Sequence, residues 1–267
     1  WTSGPDALII TGAEPKRAEL TDELYWPPLE QLLWWGRSVV PCMMVSCLTA
    51  HAALWTFDRL PRRVLPEKCS GVFPQLVDVS HPLMAGVGEL SLPHSRFNDI
   101  PANDLEQIGY HVLAQSARSG WTMAVGDRGQ CQLLLLQGHP EYSRHALLRE
   151  YRRDVRRYLS GDQGSYPRIP EGYLDSEGAT ALGHYRSEVE PKPRDPALIE
   201  GLPFGLAAAH VSVTWEAPAK ALMGNWLKSV SMARAARGFG RGRAVPGSEA
   251  SAPSATVTPA AAPLALQ

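Results

Sequence analysis

The chain has 267 residues, of which 44% are hydrophobic and 20% charged, so it can bury the core of one large α/β domain or two small ones, and wholesale disorder is excluded. Lys and Arg number 26 against 27 for Asp and Glu, and the net charge of -1 makes nucleic acid a poor default partner. No apolar run approaches the roughly 18 residues of a membrane span, and no secretory signal pattern opens the chain.

The first 60 residues alternate strand-like and helix-like segments. Residues 7–11 form a short apolar run typical of a buried strand, and a helix over 27–36 begins with two prolines. Residues 39–46 predict the next strand, and a helical pattern starts at Leu48. This strand–helix–strand–helix order predicts a doubly wound, mostly parallel α/β sheet of flavodoxin-like type.

The middle of the chain predicts further strands and one long helix. Strands are expected at 72–77, 110–115, 121–125 and 131–137, with hairpin turn chemistry at 126–129 and a helix over 143–159 capped by Ser143. We expect residues 1–232 to form one domain, in which 160–232 are a polar, proline-rich arm that wraps the core. Residues 233–267 carry arginines and then an Ala/Pro/Ser tract, and are expected to be a disordered tail.

The four cysteines, Cys42, Cys47, Cys69 and Cys131, form neither a C-x-x-C pair nor a zinc-spaced cluster with histidines. Four are too few for a disulfide scaffold in a chain of this length, which favours a reducing, cytoplasmic location. No metal site is expected. One thiol is a candidate nucleophile, and the other three are expected to be small core or surface residues.

Cys47 stands between the apolar strand 39–46 and the helix that starts at Leu48. A residue at such a turn projects at the carboxyl edge of the sheet, as in a nucleophile elbow, although Ser46 and Thr49 replace the glycines usual in that motif. The positive end of the helix favours the thiolate, and the N–H of Leu48 can stabilise an oxyanion. A buried structural thiol is the alternative that Cys47 alone leaves open.

His139 follows the apolar strand 131–137 and therefore also lies at the carboxyl end of a strand, where open parallel sheets bind their ligands. Glu141, two residues later, can orient the imidazole. Together with Cys47, these residues are a candidate base, orienting carboxylate and nucleophile, although His139 alone could be a turn residue. His51 lies one helical turn after Cys47 and is the weaker candidate base, because no carboxylate is near it in sequence.

Eight segments match a known family in order and at near-family spacing. They are ALIITGAEP (7–15), ELYWPPLEQLLWWG (23–36), VSCLTAHAAL (45–54), EKCSGVF (67–73), PHSRFND (93–99), QGHPEY (137–142), LREYRRDV (148–155) and, more weakly, NWL (225–227). With these segments the chain resembles the homoserine O-acyltransferases of methionine biosynthesis, usually called homoserine O-succinyltransferases. The resemblance implies a fold like that of the class I glutamine amidotransferases and a Cys–His–Glu triad.

The resemblance also implies residue roles. Cys47 would carry the acyl group, and His139 would be the general base with Glu141 as its partner. Three further positions match the substrate site of the family: Lys68, Ser95 and Arg153. Arg153 is implied to bind the carboxylate of the amino acid, although helix periodicity places it opposite the apolar face, where a solvated arginine is the alternative.

Two departures from the family pattern concern the acyl donor and the start of the chain. Lys16 stands where members that use succinyl donors typically have Gly and members that use acetyl donors have Glu. Because Lys16 follows a turn at a strand end, we expect its side chain to reach the crevice at Cys47. On charge grounds we expect it to favour a succinyl carboxylate. The chain also begins inside the family pattern, so the N-terminal strands of the family's sheet have no counterpart before residue 7.

These features predict transfer of an acyl group, succinyl rather than acetyl, from acyl-CoA to the hydroxyl of L-homoserine through a thioester on Cys47. Acyl-CoA is a co-substrate, and no resident cofactor is expected. The expected partners are acyl-CoA and L-homoserine, with a homodimer left open and neither nucleic acid nor membrane. Serine, one methylene shorter, stays open as an acceptor. The alternative functions are a glutamine amidotransferase-type hydrolase, which would use the same triad, and an inactive, truncated relative.

Overall fold

The computed structural model describes residues 5–241, the last five by their backbone alone. The strands are β1 (Leu8–Ile10), β2 (Cys42–Ser46), β3 (Arg63–Pro74), β4 (Leu76–Val77), β5 (Ser91–Asp99), β6 (His111–Ser116), β7 (Gly120–Arg128) and β8 (Cys131–Leu136). The α-helices are α1 (Trp26–Val39), α2 (Leu48–Asp58), α3 (Ala102–Gln107), α4 (Ala146–Leu159), α5 (Ser176–Val189), α6 (Phe204–Ala209) and α7 (Glu216–Arg241). A six-stranded sheet has the order β1–β2–β8–β7–β6–β4, and β3 and β5 form a separate two-stranded ribbon.

Helices cover both faces of the six-stranded sheet, and strand β2 shows why. All five of its residues are buried: Cys42 and Met44 join one core cluster, whereas Met43 and Val45 join the other. Helices α1 to α3 contribute to the second cluster, and α4 to α7 to the first. Because a strand buried on both faces needs apolar side chains at every position, its sequence is an unbroken apolar run. The predicted doubly wound α/β class is confirmed.

The type of strand pairing changes once across the sheet. The pairs β1–β2 and β2–β8 are parallel, whereas β8–β7, β7–β6 and β6–β4 are antiparallel. The predicted hairpin at 126–129 joins β7 to β8, with Gly129 at a φ of +70° in its turn. Parallel pairing is therefore concentrated in β1, β2 and β8, which are the strands whose carboxyl ends the sequence singled out.

Three details of the structure differ from the sequence-based prediction. Helix α4 begins after His145 rather than at Ser143, whose hydroxyl accepts a hydrogen bond from Arg149 at 2.8 Å. Strand β5 was not among the strands predicted, because its polar residues hide the apolar alternation. Residues 233–241 were expected to belong to a disordered tail but continue α7 to Arg241, in a segment rich in alanine and arginine, which favour helix. The rest of the predicted tail, 242–267, lies outside the described residues.

Residues 160–232, predicted to be a polar arm, contribute large side chains to the core. Tyr173, Trp215 and Trp226 are each at most 2% exposed and join the same cluster as β8 and α4. These widely spaced aromatic residues anchor a segment whose average composition is polar, so composition alone underestimates its burial. Within residues 5–241, no helix combines the length and the apolar character needed to cross a membrane.

Candidate active site

Cys47 occupies a strained turn between β2 and α2. Its φ of 52° and ψ of -119° lie in a region that non-glycine residues rarely adopt, which typically costs about 1–3 kcal/mol. The turn is held by backbone hydrogen bonding, because the N–H of Cys47 donates to the carbonyl of Leu136 in β8 at 2.6 Å. The strand-to-helix elbow predicted at this position is therefore present, even though Ser46 and Thr49 stand in place of the usual glycines.

The loop after β1 packs directly against this elbow. A Cβ added at Gly12 would lie 2.8 Å from the backbone N of Leu48 and 2.9 Å from the carbonyl O of Ser46, so only glycine fits there. The hydroxyl of Thr49 donates to the carbonyl of Thr11 at 2.9 Å and holds the loop in place. The N–H of Leu48 belongs to the first turn of α2, whose amides lack partners within the helix. This packing leaves that donor beside the cysteine.

His139 and Glu141 lie beyond the end of β8 and form a hydrogen-bonded pair. The ring Nδ1 of His139 is 2.8 Å from Oε1 of Glu141, and the hydroxyl of Ser46 donates to the same oxygen at 3.4 Å. The backbone N–H of His139 donates to the carbonyl of Pro93 at 2.8 Å, which ties the loop to β5. The His139 ring is buried, whereas the Glu141 side chain is 43% exposed. We call Cys47, His139 and Glu141 the reactive edge.

The pKa shifts at the reactive edge are those of a charged pair. Burial alone would lower the pKa of His139, but the Cys47 thiol and the Glu141 carboxylate together outweigh burial and raise it to about 10. Burial alone would raise the pKa of Glu141, but the bond to His139 lowers it overall. An imidazolium next to a carboxylate raises the pKa of the histidine and lowers that of the carboxyl group. The Nε2 atom of His139 is buried and completes no well-aligned hydrogen bond within residues 5–241, so it remains available to a ligand.

A cavity opens beside the reactive edge and is lined by Cys47, His139 and a set of charged side chains. We call Lys68, Ser95, Glu150 and Arg153 the charged wall. Ser95 donates to Oε2 of Glu150, which also lies 3.5 Å from Nζ of Lys68. The predicted substrate positions are thus brought to one cavity with Cys47, although they come from β3, β5 and α4.

The cations of the charged wall are held by carboxylates behind and beside it. Lys68 donates to Asp154 at 2.6 Å, and Asp154 also lies 2.9 Å from Arg153. Arg153 reaches Glu14 of the β1 loop at 3.5 Å. Lys68 falls in the irregular segment where the register of β3 against β5 shifts, between Val64 and Cys69, and such bulges re-aim side chains. The wall therefore carries both signs of charge.

His51, the weaker candidate base, lines the cavity but is buried and neutral. Burial lowers the pKa of His51 to about 4, and its Nε2 lies 2.8 Å from the side-chain oxygen of Gln137. Gln137 in turn donates to Asp99 at 2.9 Å. A group with this pKa is a poor proton acceptor at pH 7, which supports ranking His51 below His139.

Lys16 does not lie where the sequence led us to expect. Its side chain is exposed and is absent from the cavity lining, to which the same loop contributes Gly12, Ala13, Glu14 and Pro15. The reason lies in Glu23, whose Oε1 accepts hydrogen bonds from the backbone N–H groups of Lys16 and Arg17 and curls the loop away after Pro15. The expectation that Lys16 reaches the crevice at Cys47 is corrected.

Sequence reasoning also missed Tyr142. Its ring stacks on that of His139 at 4.1 Å between centroids with an interplanar angle of 20°, and its hydroxyl donates to Glu150 at 2.5 Å. Burial and the Glu150 charge raise the pKa of Tyr142, so it remains a neutral donor. Tyr142 therefore joins the reactive edge to the charged wall. The signal in the sequence that could have identified Tyr142 was its position directly after Glu141.

A strained cysteine beside a buried histidine–carboxylate pair, at the carboxyl ends of parallel strands, defines an α/β protein equipped for nucleophilic cysteine chemistry. The sequence comparisons place it more narrowly. The model of the homoserine O-succinyltransferase family matches residues 3–236, and the chain belongs to that family. It is accordingly a member of a family of O-acyltransferases.

Individual relatives agree with this placement. The chain is 39% identical to a homoserine O-succinyltransferase of Methylorubrum extorquens over 230 residues, covering 86% of this chain and 69% of the relative. It is 39% identical to one of Rhodopseudomonas palustris, with 85% and 68% covered, and 36% identical to one of Methylobacter tundripaludum, with 85% and 64% covered. The chain thus spans about two thirds of the length of these curated relatives.

Solved structures are similar to the chain at a lower level. A glutamine amidotransferase of Thermotoga maritima shares 13% identity at a TM-score of 0.45, covering 83% of this chain and 77% of that chain. A glutamine amido transferase of Methylobacillus flagellatus shares 16% identity at a TM-score of 0.43, covering 78% and 70%. The fold class rests on the sheet and helices of this chain rather than on these scores.

Proposed function

We propose that this protein transfers an acyl group, succinyl in preference to acetyl, from acyl-CoA to the hydroxyl of L-homoserine, as a step of methionine biosynthesis. The observation that carries the proposal is the reactive edge, in which a strained Cys47 adjoins the His139–Glu141 pair with its 2.8 Å hydrogen bond. Membership of the homoserine O-succinyltransferase family supports the choice of acceptor and donor. The chemistry uses side chains and the co-substrate, without a resident cofactor.

The first half-reaction loads the enzyme. The Cys47 thiolate attacks the thioester carbonyl, and the N–H of Leu48 at the start of α2 stabilises the oxyanion. When the tetrahedral adduct collapses, the bond to the sulfur of coenzyme A breaks, and the His139 imidazolium gives its proton to the departing thiolate. Free coenzyme A and a Cys47 acyl thioester remain. His139, now neutral, is held in orientation by Glu141.

The second half-reaction transfers the acyl group from Cys47 to homoserine. Nε2 of His139 takes the proton of the homoserine hydroxyl while the oxygen attacks the acyl carbon of the Cys47 thioester. Collapse of the second adduct breaks the bond to Cys47 and restores the thiolate–imidazolium pair, with O-acylhomoserine as product. Because both steps occur at the level of a thioester, the covalent route divides one transfer into two of similar difficulty.

The charged wall suits the acceptor. Homoserine is a zwitterion at neutral pH, and the wall offers Lys68 and Arg153 for its carboxylate and Glu150 for its ammonium group. Ser95 adds a hydroxyl that holds Glu150 in place. Serine fits the same charges but is one methylene shorter, a difference that typically discriminates by only about 1–3 kcal/mol.

The test is the intact mass of the protein after incubation with succinyl-CoA. We expect one succinyl group per chain, located at Cys47 by peptide mapping, removed by hydroxylamine and lost with homoserine as O-succinylhomoserine forms. Cys47→Ser should abolish the thioester. Label on Cys42, Cys69 or Cys131 would refute the elbow assignment.

A parallel assay separates the rival functions. Glutaminase activity without acyl-CoA turnover would assign the triad to amide hydrolysis. A folded chain that gains no acyl mass from succinyl-CoA or acetyl-CoA, and that hydrolyses no glutamine, would be a non-catalytic relative.

A further inference from the structure

Four Lys and Arg side chains line the cavity, and three of them are paired with carboxylates. Lys68 lies 2.6 Å from Asp154, and Arg153 lies 2.9 Å from the same residue. Arg96 donates to Asp99 at 3.0 Å. The fourth cation, Arg62, forms no ion pair with any residue of the described chain; its NH2 group donates to the backbone carbonyl of Ala18 at 2.9 Å.

No carboxylate of the described residues pairs directly with Arg62, although Glu19 and Glu23 lie near enough to influence its charge. Burial lowers the pKa of Arg62, and the negative charges of Glu19 and Glu23 only partly oppose that effect. Glu23 is already occupied, because it accepts the backbone N–H groups of Lys16 and Arg17. A partly desolvated guanidinium with no partner is stabilised when a ligand brings a carboxylate to it.

Arg62 also stands apart from the acceptor groups. It precedes β3 at the end of the turn that follows α2, and its bond to Ala18 ties it to the loop that packs on the Cys47 elbow. Its charge is felt at His51, one helical turn beyond Cys47. The charged wall has both signs and matches a zwitterion, whereas Arg62 is a cation whose hydrogen bond goes to a backbone carbonyl rather than to a carboxylate. A group that carries only negative charge therefore fits the Arg62 side of the cavity.

We propose that Arg62 binds the free carboxylate of the succinyl group and is the residue that favours succinyl-CoA over uncharged acyl donors. The inference rests on the proposed acyl transfer and deepens it. It gives Arg62 the role that charge considerations alone had suggested for Lys16, whose side chain lies outside the cavity. The planar guanidinium can bind the carboxylate through two parallel hydrogen bonds, with the Ala18 carbonyl fixing its orientation.

The experiment compares donors that differ only in the distal carboxylate. Succinyl-CoA and butyryl-CoA have four-carbon acyl chains, and acylation of Cys47 by each is followed by intact mass under single-turnover conditions. Arg62→Gln should lower the succinyl-to-butyryl ratio of acylation efficiency by at least about tenfold, since each tenfold change corresponds to about 1.4 kcal/mol. The butyryl rate should stay within about threefold. Arg62→Lys should restore part of the succinyl-to-butyryl ratio, because lysine carries the positive charge but cannot form the two parallel hydrogen bonds of a guanidinium.

Arg63→Gln is the matched control. Arg63 is the neighbouring arginine, is 68% exposed, and pairs with Asp104 outside the cavity, so its replacement should leave the donor ratio unchanged. Equal losses with both donors in Arg62→Gln would indicate a contact to coenzyme A and overturn the inference. A raised KM for homoserine with an unchanged donor ratio would place Arg62 in the acceptor site and overturn it as well. A ratio that shifts in Lys16→Gln but not in Arg62→Gln would return the role to Lys16.

Results that would contradict the proposed acyl transfer differ from those that would contradict the role of Arg62 alone. If the wild type takes no acyl group from any donor, the proposed acyl transfer fails and the inference fails with it. If the wild type is acylated but already prefers butyryl-CoA, the acyl transfer stands and only the role of Arg62 falls. Circular dichroism and thermal melting of each variant separate these outcomes from unfolding.

Discussion

The reactive edge and the charged wall line the same cavity but are held in place in different ways. The backbone positions the reactive edge: the N–H of Cys47 bonds to β8 at 2.6 Å, and the N–H of His139 bonds to Pro93 at 2.8 Å. Side chains position the charged wall, where Lys68 and Arg153 share Asp154 within 3.0 Å. A replaced side chain leaves the backbone of the reactive edge in place, whereas a replaced side chain of the wall removes part of what holds its neighbours.

This difference predicts whether a substitution should affect the chemistry or the binding of the acceptor. Replacements in the reactive edge should remove chemistry while the fold and the cavity persist. Replacements in the charged wall should weaken acceptor binding and leave the loading of Cys47 intact, because the first half-reaction does not involve homoserine. A KM-against-kcat comparison is therefore the right measurement for both regions.

The largest effect is expected for His139→Asn. The raised pKa of His139, about 10, means that the ring is charged at neutral pH, next to the Cys47 sulfur. Acyl transfer should fall by about 10³-fold, the scale of a lost general base. The rate of Cys47 alkylation by iodoacetamide at about pH 7, read by peptide mass, should also fall, because the positive charge next to the sulfur is lost.

The His139→Asn variant should remain folded. The melting temperature should change little, because the backbone bond to Pro93 does not depend on the imidazole. A variant that kept the wild-type alkylation rate and turnover would move the base elsewhere, with His51 the first residue to examine.

Gly12→Ala should have the next largest effect, and it tests whether the elbow depends on backbone packing. The new Cβ would lie 2.8 Å from Leu48 N and 2.9 Å from Ser46 O. Moving backbone atoms in this strained turn would cost free energy. Acylation of Cys47 should fall by about 10²-fold, the scale of a lost oxyanion donor. The free energy of unfolding should fall by about 1–3 kcal/mol.

Gly36→Ala provides the control for crowding. Its Cβ would lie 2.9 Å from Leu8 Cδ2 and from Met43 Sδ, the ends of side chains that can move, far from the cavity lining. It should cost stability without a selective loss of acylation. If both alanine variants lost acylation equally, Gly12 would matter only for general packing.

A third, smaller effect is expected in the charged wall. Arg153→Gln should raise the KM for homoserine by about tenfold, the scale of one charge-assisted contact. Succinylation of Cys47 in the absence of homoserine should remain near the wild-type rate. Arg157→Gln is the control, because Arg157 also pairs with Glu14 but does not line the cavity. A loss of Cys47 acylation in Arg153→Gln would contradict the prediction that the charged wall acts only in binding homoserine.

The same contrast explains how much the sequence revealed. Cys47 and His139 each follow an apolar run, so their positions at strand ends are encoded locally. Lys68 and Arg153 were recognised through family resemblance, because their meeting at Asp154 joins segments 86 residues apart. The position of Arg62 depends on Ala18, 44 residues earlier, and no local pattern reports such a contact. Side-chain networks between distant segments are what the sequence could not show.

The smallest effect concerns the buried polar groups beneath the reactive edge. Burial holds the pKa of His51 at about 4 in the folded protein, against about 6.5 for an unfolded histidine. Between these values the unfolded chain binds a proton that the folded chain does not, so stability is lost as pH falls through this window. His51→Gln should reduce the slope of unfolding free energy against pH by up to about 1.4 kcal/mol per pH unit.

Urea denaturation at several pH values between 4.5 and 6.5 provides this slope, and the exposed His184, replaced by Gln, is the matched control. The control should keep the wild-type slope, because replacing an exposed side chain leaves the buried His51 in place. His51→Gln should also retain most acyl transfer at pH 7.5, where His51 is already uncharged. A wild-type slope in His51→Gln would mean that burial does not keep His51 neutral. A loss of turnover as large as that of His139→Asn would show that the reactive edge depends on this buried layer as well as on its backbone bonds.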